Sequence, residues 1–287
     1  MIKTERNDTR TLKFFYCTAL GRAVLKAASS RGISILCGKF LDSPFSRPMI
    51  SSFVKKYCIP LSDYIPTEFR NFNEFFSRKI RPEVRPIDEM PNVLIAPCDG
   101  LLSAYHITDG LVLPIKQSCY TISDLLGGDA IAERYQNGIC LVFRLCVNHY
   151  HRYCYLDDGH KGENRFLPGV LHTVRPIALA QLPVFVQNCR EYTIMETDHF
   201  GTATQVEVGA MLVGKIQNHH GPCRVVRGQE KGMFLYGGST IVLLIEPEKA
   251  VLEDIIFRNT AHGMETPVQM GQKIGIARNP VLDDHCK

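Results

Sequence analysis

Between residues 93 and 277 the chain is a succession of short apolar runs, most of them set apart by glycine or proline. That spacing constrains the fold more than any other feature. The runs are Val93–Ala96, Leu101–Ile107, Leu111–Ile115, Gly138–Val147, Gly169–Val174, Glu191–Glu196, Gln205–Ile216, Met233–Ile245 and Lys273–Ala277. They predict a mainly antiparallel β core rather than βαβ units. Short helical interruptions are expected at Thr121–Leu126 and Ile177–Leu182.

Before residue 90 the texture differs. From Thr11 to Ser30, Leu12, Phe15, Leu20, Val24, Leu25 and Ala28 recur at helical spacing with Lys13, Arg22 and Lys26 between them. Ser43-Pro44 and Arg47-Pro48 break the pattern, and a second helix is expected from Met49 to Tyr57, carrying Lys55 and Lys56. Phe72, Phe75 and Phe76 beside Arg78, Lys79, Arg81 and Arg85 predict a short aromatic helix followed by an extended basic arm. The expected organisation is a helical region over 1–90 and a β-rich region over 91–287. No linker separates them, so the class is α+β with the N-terminal helices docked on the β core. An apolar stripe with basic neighbours suits either a membrane surface or packing on the protein's own domain.

With 45% apolar residues in 287, a substantial core is available. The formal charge of +4 fits an anionic surface and is too weak to indicate nucleic acid. Eleven cysteines, an odd number without regular spacing, read as reduced thiols in a cytosolic setting. No apolar stretch reaches the about eighteen residues of a spanning helix, and the polar start from Met1 to Arg10 does not read as a signal peptide.

The chemistry centres on Tyr236-Gly237-Gly238-Ser239-Thr240, which leads into the apolar run Ile241–Ile245. A Gly-Gly pair reaches backbone angles closed to other residues and can hold the Gly238–Ser239 peptide bond against the Ser239 hydroxyl. Attack on the Gly238 carbonyl would give an ester. Elimination from it would leave the chain starting at position 239 with a pyruvoyl group, an electron sink made from the protein's own serine. The plainer alternative is a Gly-Gly turn before a buried strand. A nucleophile elbow is excluded, because Ile241 stands where G-x-S-x-G needs its second glycine.

Two other segments can serve such a serine. Asp99, in Ala96-Pro97-Cys98-Asp99-Gly100, is a turn residue or the group that orients and charges a histidine. If the strand ending near Val147 continues, His149 and His151 share one face, and either could act as general base. Cys146, His149, His151 and Cys154 are spaced too tightly for the usual four-ligand zinc patterns, and no metal is expected. Arg175, close to His172, and Arg190 are candidates for meeting a phosphate or carboxylate. His219-His220 has no assigned role.

Taken together and in order, these segments resemble the pyruvoyl-dependent phosphatidylserine decarboxylases over nearly the whole chain. FNEFFSRKIRPEVRPI (Phe72–Ile87) is similar to that family's N-terminal signature and APCDG to its catalytic-aspartate turn. YHR with the later DDG is similar to its histidine segment, VGAMLVGKI (Val208–Ile216) to its central strand and KGMFLYGGSTIVLL (Lys231–Leu244) to its processing site. The resemblance implies that Ser239, aided by Asp99 and a histidine, cleaves the Gly238–Ser239 bond. A β chain of 1–238 and an α chain of 239–287 would remain associated. It implies a pyruvoyl cofactor that forms a Schiff base with phosphatidylserine, releases carbon dioxide and yields phosphatidylethanolamine. A homo-oligomer and a peripheral location on the cytoplasmic face of the cell membrane are expected with it. One departure stands out. Much of the family has H-x-x-H here, whereas this chain has His151-Arg152-Tyr153-Cys154. Either His151 does both jobs, or His149 or His172 supplies the second base, or Cys154 takes part. His151 is the reading carried forward. The competing class is a non-catalytic lipid-binding relative that stays unprocessed.

Overall fold

The computed structural model describes Thr18 and residues 31–108, 112–115, 118–169, 184–209, 216–235 and 239–278. His172, Arg175, the Gly237-Gly238 pair, the expected helix Ile177–Leu182, and most of Thr11–Ser30 and Gly169–Val174 lie outside the described residues.

At the centre is an eight-stranded sheet in which every pairing is antiparallel. In chain order its strands are β1 (Gly100–His106), β2 (Ile139–Leu145), β3 (Gly159–Leu167), β4 (Arg190–Thr197), β5 (Gly201–Val208), β6 (Cys223–Val225), β7 (Ser239–Ile245) and β8 (Thr266–Val268). Their order across the sheet is β6-β3-β4-β5-β7-β2-β1-β8. β7 is central, and all of its residues are buried. A strand covered on both faces has no reason to alternate, and this one reads as a continuous apolar run. Val242 and Leu244 pack with Val142, Val206 and Phe185 on one face. Ile241, Leu243 and Ile245 pack with Phe143, Phe234 and Leu252 on the other. Each such side chain contributes about 1.5–3 kcal/mol by leaving water.

Three expected strands end differently. The run Met233–Ile245 is two strands. Glu230–Phe234 lies in a three-stranded sheet between Ile216–Asn218 and Arg152–Cys154, whereas Ser239–Ile245 lies in the central sheet. The run Gln205–Ile216 likewise divides, with β5 ending at Val208 and Ile216 opening a strand of the small sheet. β2 stops at Leu145, and His149 N donates to Cys146 O at 2.9 Å, closing a turn. His149 and His151 therefore do not share one strand face. β3 was hidden in the sequence because its inward residues include Lys161 rather than aliphatic side chains.

The N-terminal layer comprises α1 (Arg31–Leu41), α2 (Pro48–Tyr57) and α3 (Phe72–Phe76). α2 opens on Pro48, whose missing N–H costs nothing there, and closes on left-handed Cys58 with Lys55 and Lys56 in its last turn. Asn71 caps α3 by accepting from Glu74 N at 2.9 Å. Phe72, Phe75 and Phe76 are fully buried with Leu41, Ile59, Phe69 and, from the β side, Tyr150. The helices thus dock on the β core. The basic arm starts inside this layer: Arg78 is buried, with its guanidinium 4.4 Å from the Tyr64 ring and 4.8 Å from the Phe75 ring. Among the described residues no helix is long and apolar enough to cross a membrane.

Candidate active site

Backbone pairing gathers three segments at one end of the central sheet. Ser239 opens β7 and pairs with Leu145, the last residue of β2. On the other side of β2, Arg144 pairs with Leu101, which brings the turn Ala96–Gly100 over the same end. Cys154 N donates to Pro97 O and Phe234 N donates to His151 O, both at 2.9 Å. The His151 segment is thereby wedged between the Asp99 turn and the strand that runs on towards Ser239.

Asp99 is nearly buried and held from two directions. Arg85 donates Nε to Oδ1 at 2.8 Å and Nη2 to Oδ2 at 2.6 Å, and Met270 N donates to Oδ1 at 2.9 Å. Two charge-assisted bonds in a planar fork fix the carboxylate's orientation as well as its place. The hydrogen bond to Asp99 also lifts the Arg85 guanidinium above its ordinary pKa.

Ser239 Oγ is fully buried and has no hydrogen-bond partner among the described residues. A hydroxyl left so costs about 1–3 kcal/mol, and a reactive group is one recognised reason to bear it.

His151 is fully buried, its ring centroid 4.0 Å from that of Phe76, so the aromatic helix roofs it. Its Nδ1 lies 2.9 Å from His149 O. A carbonyl only accepts, so Nδ1 carries the hydrogen and the neutral ring's lone pair sits on Nε2. His149 is the reverse. Its Nδ1 accepts from Cys146 N at 3.1 Å, which puts the ring hydrogen of the neutral form on Nε2. His149 is half-buried and lines a cleft of about 550 Å³ together with Arg85 and Asp99. The end of α2 and the chain beyond it, Tyr57 to Pro60 and Tyr64, also line this cleft.

Other sequence candidates fall elsewhere. Cys154 is packed with Val93 and Ile95, and burial pushes its thiol up to about 12, so it is uncharged and a poor base at neutral pH. Arg190 is not placed for a phosphate. Its guanidinium donates to the carbonyls of Asp124, Leu125, Val186 and Asn188, and burial lowers its pKa. His219 bonds Glu230 and His220 bonds Tyr155. Among the described residues no group of three or more His, Cys, Asp or Glu is arranged to hold a metal ion.

Sequence reasoning missed Arg85 as the partner of Asp99, and it missed Glu207 and Lys231, both fully buried and 2.8 Å apart. A signal existed for Glu207. A carboxylate between Val206 and Val208 in a strand beside β7 has to be paired if it is inside.

A family model described as phosphatidylserine decarboxylase matches residues 72–276, a span that contains Asp99, His151 and Ser239. A phosphatidylserine decarboxylase proenzyme 2 of Clostridium acetobutylicum is 42% identical over 266 residues, covering 92% of this chain and 91% of its own. Phosphatidylserine decarboxylase proenzymes of Ruminiclostridium cellulolyticum and Clostridium perfringens are 40% identical over 272 residues and 38% over 270. They cover 93% and 92% of this chain and 91% and 92% of their own.

Proposed function

The chain belongs to the phosphatidylserine decarboxylase family, and from that premise we propose that it is a phosphatidylserine decarboxylase made as a proenzyme that cuts itself between Gly238 and Ser239. The observation that carries the reading is Ser239, whose buried Oγ, without a partner among the described residues, heads the central strand.

In self-cleavage the Ser239 proton passes to Nε2 of His151 as Oγ attacks the Gly238 carbonyl, and the peptide becomes an ester. Elimination frees the Gly238 carboxylate and leaves a dehydroalanine at 239, which takes up water, loses ammonia and becomes a pyruvoyl group. Phe76 shields His151 from water, and the His149 carbonyl keeps its ring in the tautomer that accepts a proton. Asp99, clamped by Arg85, keeps a carboxylate of fixed orientation at the same end of the sheet.

The position suits a pyruvoyl group, which needs no binding residues of its own because it is the first residue of β7. When present, the group supplies the electron sink for loss of carbon dioxide from the serine headgroup. The cleft lined by Asp99 and His149 is the approach for that headgroup, and His151 returns the proton. The fragments 1–238 and 239–287 stay together because β7 pairs with β5 on one side and β2 on the other.

The bilayer meets α1 and α2. Leu36, Phe40, Phe45 and Met49 are exposed there, with Lys39, Arg47, Lys55 and Lys56 exposed around them, and the end of α2 forms one wall of the cleft. Exposed apolar groups with exposed cations on the same two helices suit an anionic surface, the cytoplasmic face of the cell membrane.

Intact mass under denaturing conditions, with Ser239→Ala alongside, tests the proposal. Two fragments are expected, the smaller beginning at residue 239 with a blocked terminus, and one full-length mass for Ser239→Ala. A single full-length mass for both would overturn it in favour of an unprocessed lipid-binding protein.

A further inference from the structure

The face of β7 that carries Ser239 looks onto a buried polar cluster for which the reaction above has no use. Lys231 Nζ donates to Glu207 Oε1 at 2.8 Å and to Asn218 Oδ1 at 2.9 Å. Asn218 Nδ2 donates to Glu191 Oε1 at 2.7 Å and to Glu207 Oε2 at 3.2 Å, and Tyr153 OH donates to Asn218 Oδ1 at 3.2 Å. Gln205 Nε2 donates to Glu207 Oε1 at 3.0 Å.

The membership of the cluster is telling. Glu191, Gln205 and Glu207 come from β4 and β5 of the central sheet. Tyr153, Asn218 and Lys231 come one from each strand of the small sheet. The cluster is therefore a side-chain tie between two sheets that, among the described residues, are not hydrogen-bonded to each other through their backbones. Packing around it is close. A Cβ on Gly232 would lie 2.3 Å from Gln217 O, 2.8 Å from Tyr153 Oη and 2.9 Å from Asn218 Oδ1, so only glycine lets that strand sit there.

Each sheet carries one half of the cleavage machinery. The small sheet continues from His151 through Arg152–Cys154 and holds Phe234, whose strand leads to the cleavage segment. The central sheet holds Ser239. Because Glu207 pairs with Ile241, Ser239 is its diagonal neighbour on the same face, roughly 7–8 Å away. Stability does not account for the tie. Burying an ion pair costs several kcal/mol per ion, and apolar replacements of both partners are often neutral or stabilising. Burial holds the Glu207 carboxyl above its ordinary pKa even against the pull of Lys231.

We infer that the Glu207–Lys231–Asn218 cluster is a positioning device for self-cleavage. It sets the offset of the small sheet, with His151 and the Phe234 strand, against the Ser239 end of β7. The inference rests on the self-cleavage reading.

The test follows processing over time in freshly synthesised full-length chains, on denaturing gels. It compares wild type, Ser239→Ala, Lys231→Arg, Asn218→Ala and the double variant Glu207→Leu/Lys231→Met, which removes both charges so that neither is stranded. Thermal midpoints are taken in the Ser239→Ala background, where every chain is uncut. The double variant is expected to keep its midpoint within a few degrees yet cleave at least about tenfold more slowly, as small misplacements of reacting groups do. Lys231→Arg, which keeps the charge, restores most of the rate. Decarboxylation per processed chain falls as well, because His151, which the tie positions, also returns the proton in that reaction. If the double variant does not fold, Asn218→Ala carries the test, since it leaves the ion pair but removes the bridge to Glu191 and Tyr153. Wild-type cleavage in the folded double variant, or in Asn218→Ala where the double variant fails, overturns the inference alone. Failure of wild type itself to cleave overturns the function proposal with it.

Discussion

Arg85 grips Asp99 with both arms of its guanidinium, Nε on Oδ1 at 2.8 Å and Nη2 on Oδ2 at 2.6 Å, and this pair fastens the N-terminal segment to the turn that opens the central sheet. Removing the arginine strands a carboxylate that is almost out of water. Arg85→Met is expected to cost about 3 kcal/mol, read by denaturant unfolding in the Ser239→Ala background. Arg85→Lys keeps a point charge without the fork, so it should keep most of the stability and lose more of the cleavage rate.

The two histidines should separate by function. His151→Gln removes the Nε2 base and should slow self-cleavage by at least about 100-fold, seen as full-length mass persisting in the preparation. His149→Gln keeps the backbone carbonyl that holds His151. It should still cleave and alter the pH profile of decarboxylation, because it changes the wall of the cleft. Equal loss of cleavage in both would contradict this division.

Cys154 should be dispensable for chemistry, and Cys154→Ala should process normally. The thiol does matter to alkaline stability. Its pKa rises from an ordinary 9.0 to about 12 on folding, so between those values the unfolded chain has released a proton that the native chain retains. The stabilisation is therefore full below pH 9 and is lost progressively as pH rises towards 12, at about 1.4 kcal/mol per pH unit for one group. Cys154→Ala should flatten the fall in unfolding free energy over that window by about one proton. An unchanged slope would mean that the thiol ionises freely in the native state.

On the proposed membrane face, Phe45 is 85% exposed and can be altered without touching the core. Phe45→Ser with Met49→Ser should leave the thermal midpoint alone and weaken binding to anionic vesicles about tenfold or more, given roughly 1.5–3 kcal/mol per buried side chain. Deleting residues 1–58 is a poorer experiment. Phe53 of α2 packs edge-on against Phe72 and Phe75 at 5.2 and 5.8 Å, so its loss would uncover the aromatic layer.

Much of this was legible in one dimension. The apolar run Ile241–Ile245 announced a strand buried on both faces, the aromatic signature Phe72–Phe76 announced a buried helix, and the Gly-Gly-Ser sequence marked the bond proposed for cleavage. These are local patterns, because periodicity, capping and turn chemistry act between near neighbours. The sequence also determined which side chains could do chemistry, since Ser239, Asp99 and His151 keep their functional groups in any fold.

Tertiary structure decided what those groups meet. It divided two apolar runs between strands of two sheets, ended β2 before His149, and gave His151 and His149 opposite tautomers. It turned Cys154 into an inert core thiol and joined Arg85 to Asp99 and Lys231 to Glu207. Arg85 and Asp99 stand 14 residues apart and Lys231 and Glu207 stand 24 apart, whereas the histidine tautomers are set by the close neighbours Cys146 and His149. A sheet takes its hydrogen-bond partners from distant segments, and a buried charge is tolerable only where another strand brings its counter-charge.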